Sequence, residues 1–319
     1  MAAGLAACTM STNGDNAPPA NAQSPTPPAP SAGELLTWPQ FLARPRPAPD
    51  HVIRYGPDPL QVVDLYVPGG AGPHPTVLMV HGGCWSAPWD RNLMNWVSDD
   101  LRKRGIAVWN IDYRPVDGGG GYPRTFQDVA AAADALRAHA ARYRLDIDPV
   151  VAVGHSAGGH LALWLAARRA DRARASNLLI PRGSPLLASN PLPIGAVVSL
   201  GGLPDLELAA TPPGSGCGTE IIEKLVGPPT MSSRNVYADT SIPRLAPLRV
   251  PQILINGTED RIIPTFYAED YAAKMRASGD EVRVRLIERT GHVELVAPET
   301  RAWAAAVEEI ERALGRGAR

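Results

Sequence analysis

The sequence has few cysteines, almost no net charge and no histidine or cysteine spacing typical of a metal site. Its 319 residues include three cysteines, Cys8, Cys84 and Cys217, which leave no complete disulfide framework. A net charge of −1 with scattered basic residues implies neither nucleic acid nor an anionic membrane as a partner. Neither His-x-x-x-His nor Cys-x-x-Cys occurs, so we expect no metal and no cofactor, and we expect no transmembrane helix.

Large apolar side chains are scarce in the first 33 residues. The stretch from Thr9 to Gly33 is rich in Ala, Pro, Ser and Asn, which predicts a disordered tail over residues 1–33. Leu5-Ala6-Ala7-Cys8 resembles a bacterial lipobox, in which Cys8 would carry a lipid anchor and the tail would be a tether. Only seven residues precede Cys8, without a basic n-region. Two alternatives stay open: an exported, anchored protein whose true start lies upstream, or a cytoplasmic protein in which the match is chance.

Residues 34–319 are long enough for one large domain, and nothing in them demands a second. The runs 51–55 and 62–67 predict an antiparallel hairpin at a sheet edge. Strands are predicted at 76–81, 106–111, 150–154 and 194–200, and helices at about 90–104, 124–143 and 157–169. This alternation predicts an α/β fold with a doubly wound, mostly parallel sheet and a site at the strand carboxyl ends. Residues 203–250 are predicted to form a small cap insertion with a short helix at 219–226.

The most informative motif is Gly154-His155-Ser156-Ala157-Gly158. It follows the apolar run 150–153 and precedes the helical run from Leu161 to Ala167. A strand, a Gly-x-Ser-x-Gly turn and a helix together describe a nucleophile elbow, whose sharp turn leaves no room for flanking side chains. Ser156 is therefore the candidate nucleophile.

Candidate partners for Ser156 occur in the chain order that such a site requires. The strand at 75–80 runs into Gly82-Gly83-Cys84, whose amides, with that of Ala157, are candidates for an oxyanion hole. Asp260 follows the apolar strand 251–257 and is the candidate acid, and His292 lies in a loop before the last helix and is the candidate base. We favour Gly83 and Ala157 as the oxyanion donors, with Gly82 or Cys84 as a third.

Four other residues compete for these roles. His155 and His160 are near Ser156 in sequence, but elbow geometry directs them into the sheet or the packing layer. Glu259 neighbours Asp260, and a shift of one residue turns its side chain away. Asp205, at the end of the preceding strand, is the stronger rival for the acid.

Four stretches, HGGCW, GHSAGGHLALW, NGTEDRIIP and GHVELVAP, make the chain from His51 to the C-terminus resemble the α/β-hydrolase superfamily. Within it they are similar to the small esterase, lipase-like and kynurenine formamidase (arylformamidase) group, whose members carry HGGxW. The resemblance implies Ser156 as nucleophile, Asp260 as acid and His292 as base, acting without a cofactor. It implies hydrolysis of a small-molecule ester, with N-formylkynurenine-type formamides as the alternative. Cys84 departs from the HGGG of hormone-sensitive-lipase-like esterases.

Pocket residues are harder to predict. Trp85, Trp89 and Met231 are candidates to line an acyl or aromatic pocket, with ordinary packing as an equal alternative. The small cap favours short acyl groups or compact aromatic substrates. Cys84 and Cys217 are expected to be free, because pairing would require the loop around Cys217 to fold over the HGG loop.

Overall fold

The computed structural model describes residues 34–169, 184–231 and 234–316. Its sheet has eight strands, His51–Arg54 (β1), Val62–Tyr66 (β2), His74–Val80 (β3), Ala107–Ile111 (β4), Leu145–His155 (β5), Ile194–Leu200 (β6), Gln252–Gly257 (β7) and Val282–Ile287 (β8). Their order across the sheet is β1-β2-β4-β3-β5-β6-β7-β8. The β1–β2 and β2–β4 pairs are antiparallel and the other pairs are parallel. The predicted edge hairpin and the doubly wound, mostly parallel sheet are confirmed.

Within the described ranges, one short helix precedes the first strand, and the other helices lie between strands or after the last one. They are Trp38–Leu42 (α1), Asn95–Lys103 (α2), Arg124–Tyr143 (α3), Ala157–Ala167 (α4), Leu206–Ala209 (α5), Thr219–Val226 (α6), Phe266–Ala277 (α7) and Arg301–Ala313 (α8). Short 3₁₀ helices occupy Arg91–Met94, Ile242–Leu245 and Glu294–Val296. The helix predicted at 90–104 is therefore a 3₁₀ turn followed by a shorter α-helix.

The sheet is covered on both faces, which explains the composition of its central strands. Residues 76–80 of β3 and 150–155 of β5 are all buried, as expected where helices pack on both sides of a parallel sheet. Helix α3 buries one stripe that includes Val129, Ala133 and Leu136. Helix α4 is buried nearly all round, so it lies inside the core.

Parallel strands bring distant parts of the chain to one edge. The carboxyl ends of β3, β5, β7 and β8 lead into the loops that carry Gly82, Ser156, Asp260 and His292. This edge is where open α/β sheets bind ligands.

Part of the region predicted as a cap, residues 203–250, is buried in the hydrophobic core. Ile222, Leu225 and Ile242 are fully buried in the main hydrophobic cluster. Gly216 lines the cavity beside Ser156, and Cys217 is bonded to Cys84 of the HGG loop. The proposed tail at 1–33 and Cys8 lie outside the described residues. No helix within the described ranges combines the length and apolar character needed to cross a bilayer.

Candidate active site

The turn at Ser156 has the geometry that the glycine spacing predicts. Ser156 joins β5 to α4 with φ 54° and ψ −123°, in a region that side chains rarely adopt. A Cβ on Gly154 would lie 2.0 Å from the Gly158 carbonyl oxygen, and one on Gly158 would lie 2.2 Å from the Val80 carbonyl oxygen. Both flanking positions therefore exclude any side chain, and β3 packs directly against the turn.

His292 and Asp260 form a buried pair. Nδ1 of His292 donates to Oδ2 of Asp260 at 2.6 Å. The other carboxylate oxygen, Oδ1, accepts the backbone N–H groups of Ile262 at 2.9 Å and Ile263 at 2.8 Å. With Asp260 fixed by these amides and the proton on Nδ1, the Nε2 atom of His292 is left as an acceptor.

The side chain of His155 contacts His292. The prediction that His155 points into the sheet or the packing layer did not include this contact. Its Nε2 donates to the His292 carbonyl oxygen at 3.2 Å, and the two ring centres are 4.4 Å apart. Burial, with the nearby His292 as a smaller cause, holds the pKa of His155 well below its ordinary value. A neutral His155 therefore supports the backbone of His292 without adding a charge beside it.

The loop after β3 approaches Ser156 closely. A Cβ on Gly82 would lie 2.9 Å from the Ser156 Cβ. The next three residues, Gly83, Cys84 and Trp85, all have positive φ, at 106°, 51° and 54°. The carbonyl oxygen of Gly82 accepts from His81 Nδ1 at 2.8 Å, and that of Gly83 accepts from Ser86 N at 2.9 Å. These bonds fix the peptide planes of the loop, and the Ala157 amide begins α4, where N–H groups have no intrahelical partner.

A buried polar network supports this loop from below. His81 Nε2 lies 3.0 Å from Asp112 Oδ1, and its ring stacks on Tyr113 at 4.2 Å. Arg91 donates to Asp112 Oδ2 at 2.9 Å and forms an ion pair with Asp64, with an N–O distance of 2.9 Å. Burial on its own would raise the pKa of Asp112, but the hydrogen bonds from His81 and Arg91 lower it below its ordinary value. His81 therefore has a structural role, because its contacts support the loop after β3.

Cys84 and Cys217 are joined by a disulfide, so the expectation that both are free is wrong. Their Cα atoms are 5.5 Å apart across 133 residues of sequence. The disulfide joins the Cys217 loop to the HGG loop, and Gly216 N donates to the carbonyl oxygen of Ile262, in the loop that carries Asp260, at 2.7 Å. The sequence could not reveal this pairing, because it depends on how two distant loops meet.

Removing this disulfide should destabilise the protein. We expect Cys84→Ser/Cys217→Ser to lower the free energy of unfolding by about 2–5 kcal/mol, because a long loop in the unfolded chain is no longer closed. Guanidinium unfolding measures the change, and wild-type protein in reductant should reproduce the variant. Equal midpoints for all three samples, or peptide mapping that finds no Cys84–Cys217 link, would contradict the pairing.

A cavity of about 140 Å³ opens beside the candidate nucleophile. Ser156, His292, His155 and Gly83 of the HGG loop line it. Its remaining lining comprises Trp38, Trp89, Leu93, Gly216, Ile262 and the disulfide at Cys84. Trp38 was not predicted to line the pocket, because the Pro-rich segment before β1 shows no apolar periodicity. The Thr37…Gln40 capping box and Pro39 in the first turn are the local signals of a helix there.

The remaining candidates lie elsewhere. Of the three proposed pocket residues only Trp89 lines the cavity, since Trp85 is buried against His160 and Met231 is 93% exposed. Asp205 is the N-cap of α5 and pairs with Lys274 at 2.7 Å. Glu259 is exposed.

His160 should make stability depend on pH. It is fully buried, Nε2 donates to the Thr240 carbonyl oxygen at 2.8 Å, and burial lowers its pKa to about 4. Below about pH 6.5 the unfolded chain binds a proton that the folded protein refuses, so stability falls as the pH drops towards 4. We expect wild type to lose about 3 kcal/mol more than His160→Gln between pH 7 and pH 4. Urea unfolding at each pH measures this, and parallel curves would contradict it.

The described residues contain no cluster of three or more His, Cys, Asp or Glu side chains that could hold a metal ion. Ser156 and His292 line one cavity, and Asp260 binds His292 through Nδ1.

Comparison with solved structures defines the class of protein. Esterase B from Lactobacillus rhamnosis superposes with a TM-score of 0.69 over 88% of this chain and 93% of that one, at 20% sequence identity. The sheet order, the flanking helices and this likeness define an α/β-hydrolase fold. The BD-FAE family model matches residues 63–275, more than half of the chain, and the protein therefore belongs to the BD-FAE family.

Two curated relatives carry esterase names. Esterase LipC of Mycobacterium tuberculosis is 29% identical over 70% of this chain and 54% of its own length. A probable isoprenylcysteine alpha-carbonyl methylesterase of Arabidopsis thaliana, ICMEL1, is 26% identical over 76% of this chain and 50% of its own length. The chain thus spans about half the length of these two relatives.

Proposed function

We propose that the protein is a carboxylic-ester hydrolase that uses Ser156, His292 and Asp260 as a catalytic triad. The observation that carries this proposal is the convergence of three loops on one cavity. Ser156 and His292 both line it, and Asp260 binds the Nδ1 side of His292 at 2.6 Å. Membership of the BD-FAE family and the esterase names of the relatives support it.

The proposed reaction has two halves. Nε2 of His292 accepts the proton of Ser156 as Oγ attacks the ester carbonyl carbon, and Asp260 stabilises the resulting imidazolium. The oxyanion accepts hydrogen bonds from the amides of Gly83 and Ala157, with Gly82 or Cys84 as a third donor. When the intermediate collapses, His292 protonates the leaving alcohol. Water, deprotonated by His292, then attacks the acyl-serine, which releases the carboxylic acid and restores Ser156.

We propose short acyl groups or compact aromatic groups as the substrates. The cavity of about 140 Å³ is comparable to an engineered apolar cavity of about 150 Å³ that holds benzene. The indole rings of Trp38 and Trp89 stand 5.1 Å apart on its wall, a surface suited to apolar groups.

A series of p-nitrophenyl esters from acetate to decanoate tests this function, with N-formylkynurenine assayed in parallel. We expect kcat/KM to be highest for acetate or butyrate and to fall for longer chains. A preference of more than about tenfold for the formamide would replace the ester hydrolase by the arylformamidase alternative. No turnover of any of these substrates would contradict both.

A further inference from the structure

Trp38 belongs to residues 34–42, here called the leading segment, and forms part of one wall of the cavity. The ring centre of Trp38 lies 5.1 Å from that of Trp89, 6.1 Å from that of His155 and 6.4 Å from that of His292. The leading segment precedes residues 63–275, and His292 follows them. The match to the family therefore assigns nothing to this wall.

Local contacts fix Trp38 in place. Thr37 caps the five-residue helix α1 in a capping box with Gln40. Phe41 is fully buried and its ring centre lies 4.4 Å from that of Trp96. The helix is thus held at its start by the cap and on its inner face by an aromatic contact.

Glu294 links the leading segment to the loop of His292. Glu294 is only 9% exposed, and its Oε2 accepts the N–H of Gly291 at 3.0 Å. Its Oε1 accepts the N–H of Leu36, two residues before Trp38. Because a carboxylate has two acceptor oxygens, one side chain sets the position of both backbone stretches. A carboxamide has one acceptor oxygen and cannot replace both bonds.

The chemistry assigns Trp38 to one half of the substrate. In the proposed reaction His292 gives its proton to the oxygen of the departing alcohol, so the alcohol portion must lie beside the His292 ring. The acyl carbon lies at Ser156 and the HGG loop. Trp38, which packs edge-on to His292, therefore flanks the alcohol side of the cavity.

We propose that Trp38 is a specificity-determining residue that binds the alcohol portion of the ester and favours a single planar ring there. Glu294 is a positioning residue that holds Trp38 and His292 in their relative places. This inference rests on the proposed ester hydrolase function, and it names the leaving-group half of the substrate.

Phenyl acetate and methyl acetate test the role of Trp38, because they share the acyl group and differ only in the alcohol. The ratio of their kcat/KM values does not depend on the fraction of folded enzyme. We expect Trp38→Ala and Trp38→Leu to lower this phenyl-to-methyl ratio about tenfold, because the flat contact surface is lost. Leu42→Ala removes a 37% exposed side chain of the same helix and is the matched control, with an unchanged ratio.

Glu294→Gln should also lower the ratio, because Trp38 is displaced, and should slow labelling by a fluorophosphonate, because His292 is displaced. A purely structural role would reduce the amount of active enzyme without changing either the ratio or the rate constant of labelling. In the double variant Trp38→Ala/Glu294→Gln the ratio should fall no further than in Trp38→Ala, since both act on the same contact.

An unchanged phenyl-to-methyl ratio in both Trp38 variants would overturn the role of Trp38. Equal losses of kcat/KM on the two acetates give this result. An unchanged ratio and labelling rate in Glu294→Gln would overturn the role of Glu294. Wild-type protein that hydrolyses neither acetate would overturn the proposed function, and this inference with it.

Discussion

Replacing Ser156 by alanine should lower kcat for p-nitrophenyl acetate by about 10⁴–10⁶-fold. The change removes the atom that forms the acyl-enzyme in the proposed reaction, while the turn itself is retained because its glycines and backbone bonds are untouched. Ser156 N still donates to the Leu200 carbonyl oxygen, at 2.8 Å in the wild type. Steady-state kinetics measures the loss, and an unchanged unfolding midpoint shows that the fold is intact.

His292→Ala is the matched variant for Ser156→Ala, and it should lower kcat by a similar factor. Groups that act as one unit are not additive, so Ser156→Ala/His292→Ala should be scarcely slower than either single variant. If Ser156→Ala kept more than about one hundredth of wild-type kcat, the nucleophile would have to be another residue.

Asp260→Asn should lower kcat by about 10⁴-fold. The asparagine oxygen can still accept the amides of Ile262 and Ile263, which bind Oδ1 at 2.9 and 2.8 Å. Its NH₂ group then faces Nδ1 of His292 and favours the tautomer with the proton on Nε2. That tautomer cannot accept the proton of Ser156, so chemistry fails while the fold persists. The measurement is kcat at saturating ester.

Asp205→Asn is the matched control for the acid. Asp205 caps α5 and pairs with Lys274, so its loss should reduce stability by about 1 kcal/mol and leave kcat within about threefold of wild type. The opposite order, with Asp205→Asn inactive and Asp260→Asn near wild type, would show that the acid assignment is wrong.

Local patterns in the sequence predicted the fold because the relevant signals are short. Buried runs such as 150–153 specify strands, and the spacing of Gly154 and Gly158 around Ser156 specifies a turn whose backbone leaves no room for side chains. The order of the motifs along the chain then indicated Asp260 and His292 as the candidate acid and base, since parallel strands place their carboxyl ends at one edge.

The features that the sequence missed depend on contacts between distant segments. Trp38 lines the cavity from a segment whose Leu36 amide is bound by the Glu294 carboxylate, 258 residues away. The Cys84–Cys217 link spans 133 residues, and no local spacing indicates it. His155 was placed in the packing layer because elbow geometry alone does not show which loop will meet its ring.

Peptide mass spectrometry of the protein after reaction with a fluorophosphonate tests the central claim most directly. We predict a single covalent adduct on the peptide that contains Ser156, formed in wild type and strongly slowed in His292→Ala. An adduct on a different residue, or an equal rate of labelling in the two proteins, would contradict a serine nucleophile activated by His292.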